Sequence, residues 1–274
     1  MTTQMAKDHG VTHHLPKYAL WLSLGVLAWF AIAAFAPKIG VLDWRVGLGF
    51  MVMTAGPILL GLAVLAAVVA LALALLRRPR GPWWKAALAL AIPVILGVTL
   101  LQVKATADRV PPIHDVSTDT LDPPQFSART MALRQEVDAN PLNSYGIPLG
   151  QLPAWQASVR GENAIKTHAD LIRQHYGDLQ PIPTGPASSP QVMDAVVAAM
   201  ADIGLQDIRR DPQAGIVEGV AETFAFGFRD DVVVRVRQGR IDMRSVSRVG
   251  QSDLGYNAAR LEELSEAIKE RLGR

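Results

Sequence analysis

Residues 231–248 read Asp-Val-Val-Val-Arg-Val-Arg-Gln-Gly-Arg-Ile-Asp-Met-Arg-Ser-Val-Ser-Arg, and this stretch decides how the carboxy-terminal half folds. Two alternating runs flank Gln238-Gly239, a pair suited to a two-residue hairpin turn. Closing that turn sets Arg237 opposite Arg240, Arg235 opposite Asp242 and Val233 opposite Arg244. Successive side chains of a strand point to opposite faces. Val232, Val234, Val236, Ile241, Met243 and Ser245 therefore share one face, and Arg235, Arg237, Arg240, Asp242 and Arg244 share the other. The first face is core; the second is expected to be wet or to hold something bound.

Further strands are expected at 205–210 and 216–226. A helix opens at Ser189 as N-cap with Pro190 first in the helix, carries Met193, Val196, Val197, Met200 and Ile203 as its apolar stripe, and ends at Gly204. Another, over 163–176, precedes it, and residues 127–139 are compatible with a short one. The last helix starts at Ser252 or Asp253, and Leu254, Ala258, Leu261, Leu264, Ile268 and Leu272 recur at helical spacing to cover the apolar side of the sheet. The prolines between Val110 and Phe126 forbid a continuous helix there, so 104–152 reads as an extended arm. Helices over an antiparallel sheet make 153–274 an α+β domain of two layers.

The first hundred residues are of another kind. About 20 apolar residues cross the roughly 30 Å of membrane hydrocarbon as a helix. Runs at 18–36 and 83–103 meet that length, and the tract 46–76 exceeds it, with its core expected at Gly56–Leu76 and a kink or interfacial turns at Gly56-Pro57. Pro93 is expected to free a carbonyl inside the third span that a neighbouring helix or a water must satisfy. Gly25, Gly47, Gly56 and Gly61 are candidates for close helix packing. Residues 1–103 are thus expected to be a three-span anchor in the lipid bilayer. No small-residue cleavage site follows the first run, so it is expected to be retained as an anchor.

Lys7, Lys17, Arg77, Arg78, Arg80 and Lys85 flank one side of these spans, six against the four of Lys38, Arg45, Lys104 and Arg109. Positive charge favours the cytoplasmic side. The expectation is a multi-pass protein of the cytoplasmic (inner) membrane, with its amino terminus inside and its carboxy-terminal domain in the periplasm. Residues 1–103 carry 8 basic and 2 acidic side chains and residues 104–274 carry 19 and 23, so the globular part is mildly acidic. Nucleic acid is therefore not an expected partner. No Asp, Glu, His or Arg interrupts the apolar cores, which argues against an ion or proton pathway. The absence of cysteine is compatible with either compartment.

Three phrases carry a resemblance: Pro111-Pro-Ile-His-Asp-Val-Ser-Thr-Asp119, Phe226-Gly-Phe-Arg-Asp-Asp-Val-Val-Val-Arg-Val236, and the run from Arg240 to Arg260. Together they resemble the bacterial family known as domain of unknown function 1499, over about residues 110–271. Some relatives carry a cysteine-containing phrase near the start of the domain. This chain resembles the cysteine-free branch, with His114-Asp115 there. The resemblance implies a domain boundary and no established activity.

Several residues invite chemistry. His114 and Asp115, with a serine such as Ser247, have the residue types of a general base and nucleophile, but no Gly-x-Ser-x-Gly elbow accompanies them. Asp, Ser and Thr beside prolines more often satisfy their own backbone in turns. Arg235, Arg237 and Arg244 on the strand face suit an anionic ligand, because guanidinium forks pair with phosphate or carboxylate; solvated cross-strand ion pairs, with Glu218 and Glu222 sharing the face, are the structural alternative. Arg248, Ser252, Asp253, Asn257 and Arg260 gather around the entrance to the last helix, a place that attracts anions or that staples strand to helix. His9, His13 and His14 in the tail, and His168 and His175 on an expected solvated helix face, lack ligand spacing, so neither metal nor cofactor is expected. The expected function is a non-enzymatic envelope protein that binds an anionic envelope component or a neighbouring membrane protein. A membrane-anchored hydrolase using His114, Asp115 and Ser247 is the alternative.

Overall fold

The computed structural model describes residues 2–76, 81–237 and 239–273, and side chains from His14 onward. The side chains of His9 and His13 in the tail, and residues Arg77, Arg78 and Arg80 of the charge cluster and Gln238 of the turn, lie outside what is described. The chain divides into two compact units, Met1–Ala105 with Phe224–Gly227, and Thr106–Thr223 with Phe228–Arg274.

The first unit contains helix α1 (Thr2–Phe35), a π-helical segment (Arg45–Ala55) running into α2 (Gly56–Leu76), and α3 (Trp83–Ala107). Within them His14–Phe35, Arg45–Leu76 and Trp83–Ala107 are long and apolar enough to cross a membrane. The change of winding falls at Gly56-Pro57, where proline has no N–H to continue the α-helical ladder. Trp29 Nε1 donates to the Met51 carbonyl at 3.0 Å, and Thr54 Oγ1 to that of Gly49 at 2.9 Å, so side chains serve the irregular turns. Small residues bring these helices together: Ala19, Ala67, Ala70, Ala86 and Ala89 form one buried cluster. A Cβ on Gly47 would fall 2.5 Å from the Ala33 carbonyl oxygen, and one on Gly56 2.8 Å from the Phe30 ring, whereas Gly25 and Gly61 face open space.

The second unit is α+β. Strands β1 (Asp115–Ser117), β2 (Ile182–Pro183), β3 (Gln206–Asp211), β4 (Ile216–Glu222), β5 (Arg229–Arg237) and β6 (Arg240–Ser247) form one antiparallel sheet in the order β1-β6-β5-β4-β3, with β2 also paired to β6. Arg237 lies opposite Arg240, Arg235 opposite Asp242 and Val233 opposite Arg244, as the two-residue turn requires. Helices α7 (Ser189–Asp202) and α8 (Tyr256–Arg271) cover one face, where Val232, Val234, Val236, Ile241 and Met243 join Val196, Met200, Leu261, Leu264 and Ile268 in the main core.

The opposite face departs from expectation: it is covered, not wet. Residues of the arm lie over it, so Phe126 and Leu142 pack with Ile216, Val233 and Val246 in a second apolar cluster. The arm also supplies β1 and helix α4 (Ala128–Glu136), whose cap Ser127 accepts from the Thr130 N–H. Glu218 accepts from the Ser127 N–H and hydroxyl at 2.7 Å each and from the Thr130 hydroxyl at 2.8 Å, so it holds α4 to the sheet, and it also lies 3.7 Å from the Arg209 guanidinium.

Local signals move three other boundaries. The helix expected over 163–176 is two, α5 (Glu162–Ile165) and α6 (His168–His175), because Thr167 and Asp170 form a reciprocal capping box that starts a new helix. Ser188 caps α7, one residue before the expected Ser189. Helix α8 starts at Tyr256, not at 252–253, since Leu254 (φ 57°) and Gly255 (φ 85°) adopt left-handed backbone that interrupts it.

Candidate functional site

The polar residues of β1 and β6 meet in the interior. Arg244 forks onto Asp115, with Nε to Oδ1 at 3.0 Å and Nη2 to Oδ2 at 2.7 Å, and both side chains are buried. The Tyr145 hydroxyl donates to the same Asp115 Oδ1, and Arg244 Nη1 reaches the Pro124 carbonyl at 3.2 Å. Burial pushes the Asp115 carboxyl up, but the Arg244 charge and hydrogen bonds outweigh it and hold the group below the usual carboxylate range. Burial likewise raises the Tyr145 phenol well above its ordinary value. Asp115 and Arg244 are locked as ions, and the phenol stays neutral.

Beside it stand two neutral histidines. The His114 ring stacks on Trp155 at 5.0 Å between centroids, and its Nε2 lies 3.3 Å from Asn143 Nδ2. Trp155 also meets His168 edge-on at 5.2 Å and donates from Nε1 to the Pro112 carbonyl at 2.6 Å. Burial lowers His114 from its ordinary value against the pull of Asp115, and its Nδ1 has no hydrogen-bond partner among the described residues. Burial drives His168 down to about 4, and neither of its ring nitrogens has a hydrogen-bond partner among the described residues. His168 thus sits in the core, not on the solvated helix face expected for it; the new start of α6 at Thr167 turns it inward.

A second cluster joins β5, β6 and α8. Asn257 accepts from the Ser245 hydroxyl at 2.6 Å and donates to the Ser247 hydroxyl and the His114 carbonyl, both at 2.9 Å. Arg260 binds Ser245 Oγ at 2.9 Å, Asn257 Oδ1 at 2.7 Å and Asp230 at 2.7 Å. Arg248 pairs with Asp231 at 2.7 Å, and Arg134 of α4 holds the other oxygen of that carboxylate. Asp253 accepts from the N–H groups of Gly255 and Asn257 at 2.8 Å each, while burial pushes its carboxyl up to about 6. Ser252 Oγ accepts from the Leu254 N–H at 3.3 Å.

The third cluster lies at the β5–β6 turn. Arg235, Arg237 and Arg240 surround Asp242, at 3.1, 2.7 and 2.5 Å respectively. Two arm carboxylates complete it: Asp119 reaches Arg240 at 2.6 Å and Asp122 reaches Arg237 at 2.8 Å. Asp242 is fully buried, whereas the side chains of Arg237, Arg240 and Asp122 are 40 %, 42 % and 61 % exposed. Arginine charges beside Asp122 hold its carboxyl below the usual range.

Of the residues nominated from sequence, His114, Asp115 and Arg244 share the buried centre, Ser247, Asn257 and Arg260 share the second cluster, and Arg235 and Arg237 share the rim. Arg235, Arg244 and Arg248 each hold a different aspartate, Asp242, Asp115 and Asp231. The His114 ring meets Asn143 and Ser247 Oγ meets Asn257, while the two residues are joined through the backbone, the Ser247 N–H donating to the His114 carbonyl at 2.9 Å. Tyr145, Trp155, Arg134, Asp230 and Asp231 complete these clusters and were not singled out by sequence reading. The pair Asp230-Asp231 at the head of a valine run was the one available signal. A separate groove of about 400 Å³ is lined by Thr184, Gln191, Ala195, Arg271 and Leu272 among others, away from these clusters. Among the described residues, no three His, Cys, Asp or Glu side chains are grouped as metal ligands.

Neither curated proteins nor solved structures include a match to this chain. A family model described as a protein of unknown function, DUF1499, matches residues 115–268, from the first residue of β1 into α8. That span contains all three clusters except His114 itself, and by it the chain belongs to the DUF1499 family.

Proposed function

We propose that the chain is a non-enzymatic membrane protein of the cell envelope whose globular domain faces outward and binds an anionic envelope component through Arg235, Arg237 and Arg240. The observation that carries this reading is the rim itself. Three guanidiniums from one hairpin end are held by the arm carboxylates Asp119 and Asp122, and Asp122 is the most exposed member of the pair. A phosphate or carboxylate presented by a partner takes the place of Asp122 with the same charge-assisted geometry. Arg244, Arg248 and Arg260 are tied to Asp115, Asp231 and Asp230 and brace the domain behind the rim.

The groups a hydrolase would need are engaged otherwise. Asp115 is held by Arg244 and Tyr145, the His114 ring by Asn143 and Trp155, and the Ser247 hydroxyl by Asn257. That arrangement supports binding over catalysis. Six basic residues flanking one side of the apolar stretches, against four on the other, support an outward-facing domain in the inner membrane.

Titration calorimetry of the full chain in zwitterionic nanodiscs with inorganic polyphosphate tests the binding. Asp122→Asn is expected to tighten it and the double variant Arg237→Ala/Arg240→Ala to abolish it; equal heats from all three proteins would refute the reading. A reporter enzyme active only outside the cytoplasm, fused after Arg274, is expected to be active, and an inactive but expressed fusion would reverse the orientation.

A further inference from the structure

The connection between β4 and β5 reads Thr223-Phe-Ala-Phe-Gly-Phe228, with phenylalanine at every second position. Exposed turns ordinarily draw on Gly, Asn, Asp, Pro and Ser, and of these only Gly227 is present. Phe226 (φ 64°) and Gly227 (φ 65°) are both left-handed, a conformation that an aromatic residue adopts only under constraint. The Phe224 side chain is left 80 % exposed at the apex. A lone exposed aromatic is ordinary, but one presented on a strained aromatic turn needs a partner to offset its hydration.

The unit to which Phe224–Gly227 belongs identifies that partner. It is the unit of the three apolar helices. Within it the Phe224 ring meets Phe35 edge-on, with centroids 5.3 Å apart, and Phe35 is the last residue of the first apolar stretch. The Phe226 N–H donates at 2.7 Å to the Ala34 carbonyl, one of the carbonyls that a helix end leaves without a backbone donor. Lys38 Nζ donates to the Phe224 carbonyl at 3.3 Å and lies 5.8 Å from the centre of its ring. An apolar helix end, an aromatic ring and a lysine beside that ring are the composition of a membrane–water boundary.

We infer that the β4–β5 tip is a membrane-contacting element, with the Phe224 ring inserted at the headgroup–acyl boundary of the bilayer that the apolar helices occupy. The occupant is lipid, of whatever headgroup, because the ring offers apolar area and no fork for an anion. The contact does not involve the arginine rim.

The chain has no cysteine, so Phe224→Cys gives a unique site for a nitroxide spin label in the full chain reconstituted into phosphatidylcholine vesicles. Gln213→Cys, in the exposed turn between β3 and β4, is the reference, and Ala225→Cys repeats the reading with Phe224 intact. Oxygen, which partitions into lipid, is expected to relax labels at 224 and 225 severalfold more effectively than a water-soluble nickel chelate, with the opposite order at 213. Nickel accessibility at 224 and 225 equal to that at 213 would place the tip in water and overturn the inference. Exclusion of both reagents there would assign the ring to a protein partner or a second copy, and would overturn it equally.

Discussion

The Ser23 hydroxyl donates a 2.6 Å hydrogen bond to the Ala89 carbonyl, and both residues are fully buried between helices. Ala89 precedes Pro93 by four residues, so it is the carbonyl that an α-helix would join to the N–H that proline lacks. The carbonyl expected to be freed inside the third apolar helix is thus satisfied by its neighbour. Interhelical hydrogen bonds of this kind contribute about 0.6 kcal/mol on average and up to about 1.7. Ser23→Ala is expected to cost about 1–2 kcal/mol, because the orphaned carbonyl has no water to turn to. On a Pro93→Ala background, where position 93 again carries an N–H, the same substitution is expected to be nearly neutral. A double-mutant cycle from detergent-titration unfolding of the full chain reads the difference, and zero coupling would detach Ser23 from the proline.

Arg244 and Asp115 give the second prediction. Removing one member of a buried, forked pair leaves the other charged without compensation and costs about 3–5 kcal/mol. Asp115→Asn is therefore expected to lower the unfolding midpoint of the globular unit sharply, as is Arg244→Met. The combination Asp115→Leu/Arg244→Met removes both charges and is expected to recover most of the loss, with the Tyr145 hydroxyl left as the remaining cost. Unfolding of the full chain in micelles, followed by near-ultraviolet circular dichroism, separates the cases; additive losses in the double variant would mean that the two side chains do not act as a pair.

The β5–β6 register was legible because a two-residue turn and a period of two leave one pairing that buries the valines. The main core under α7 and α8 was legible for the same reason, being written in local periodicity. Residues that depend on distant partners were not. Strands β1 and β2 span only 115–117 and 182–183 and exist through pairing with β6, so no local pattern announces them. Arg244 looks like a surface residue in its own strand, and Asp115, 129 positions earlier, supplies the countercharge that makes its burial tolerable. The break before His168 was readable in principle, since Thr167-x-x-Asp170 is a capping box, but the apolar spacing of 163–176 obscured it. The grouping of Ser245, Asn257 and Arg260 could be anticipated from the short path between β6 and α8, whereas their bond to Asp230 required the fold.

His168 makes the globular unit acid-sensitive. Its folded pKa of about 4 lies below its ordinary 6.5, so between these values the unfolded chain binds a proton that the folded one refuses. Its contribution is complete above pH 6.5 and is lost as pH falls towards 4, by roughly 3 kcal/mol at about 1.4 kcal/mol per unit. His168→Phe keeps a ring against Trp155 and Tyr145 and removes two nitrogens that have no partner. It is expected to flatten the acid limb of a midpoint-against-pH curve and to raise stability at neutral pH by about 1 kcal/mol. Some acid slope should persist through His114, which burial also lowers. An unchanged limb in the variant would mean that His168 is not the group that titrates.

Asp253 acts in the opposite sense. Burial raises its carboxyl from 3.8 to about 6, so across that interval the folded chain holds a proton that the unfolded chain has released. Its contribution is fully present below pH 3.8 and is lost as pH rises through about 6. At neutral pH the buried carboxylate retains the N–H groups of Gly255 and Asn257 yet carries a desolvated charge close to Asp230. Asp253→Asn keeps a carbonyl oxygen for the turn and removes the charge. It is expected to stabilise the globular unit at pH 7–8 by on the order of 2 kcal/mol and to have little effect at pH 4. Chemical denaturation of the full chain in micelles at the two pH values provides the measurement. A variant weaker than the parent at pH 7 would show that Arg260 compensates the carboxylate more than burial penalises it, and that the entrance to α8 depends on a charged cap.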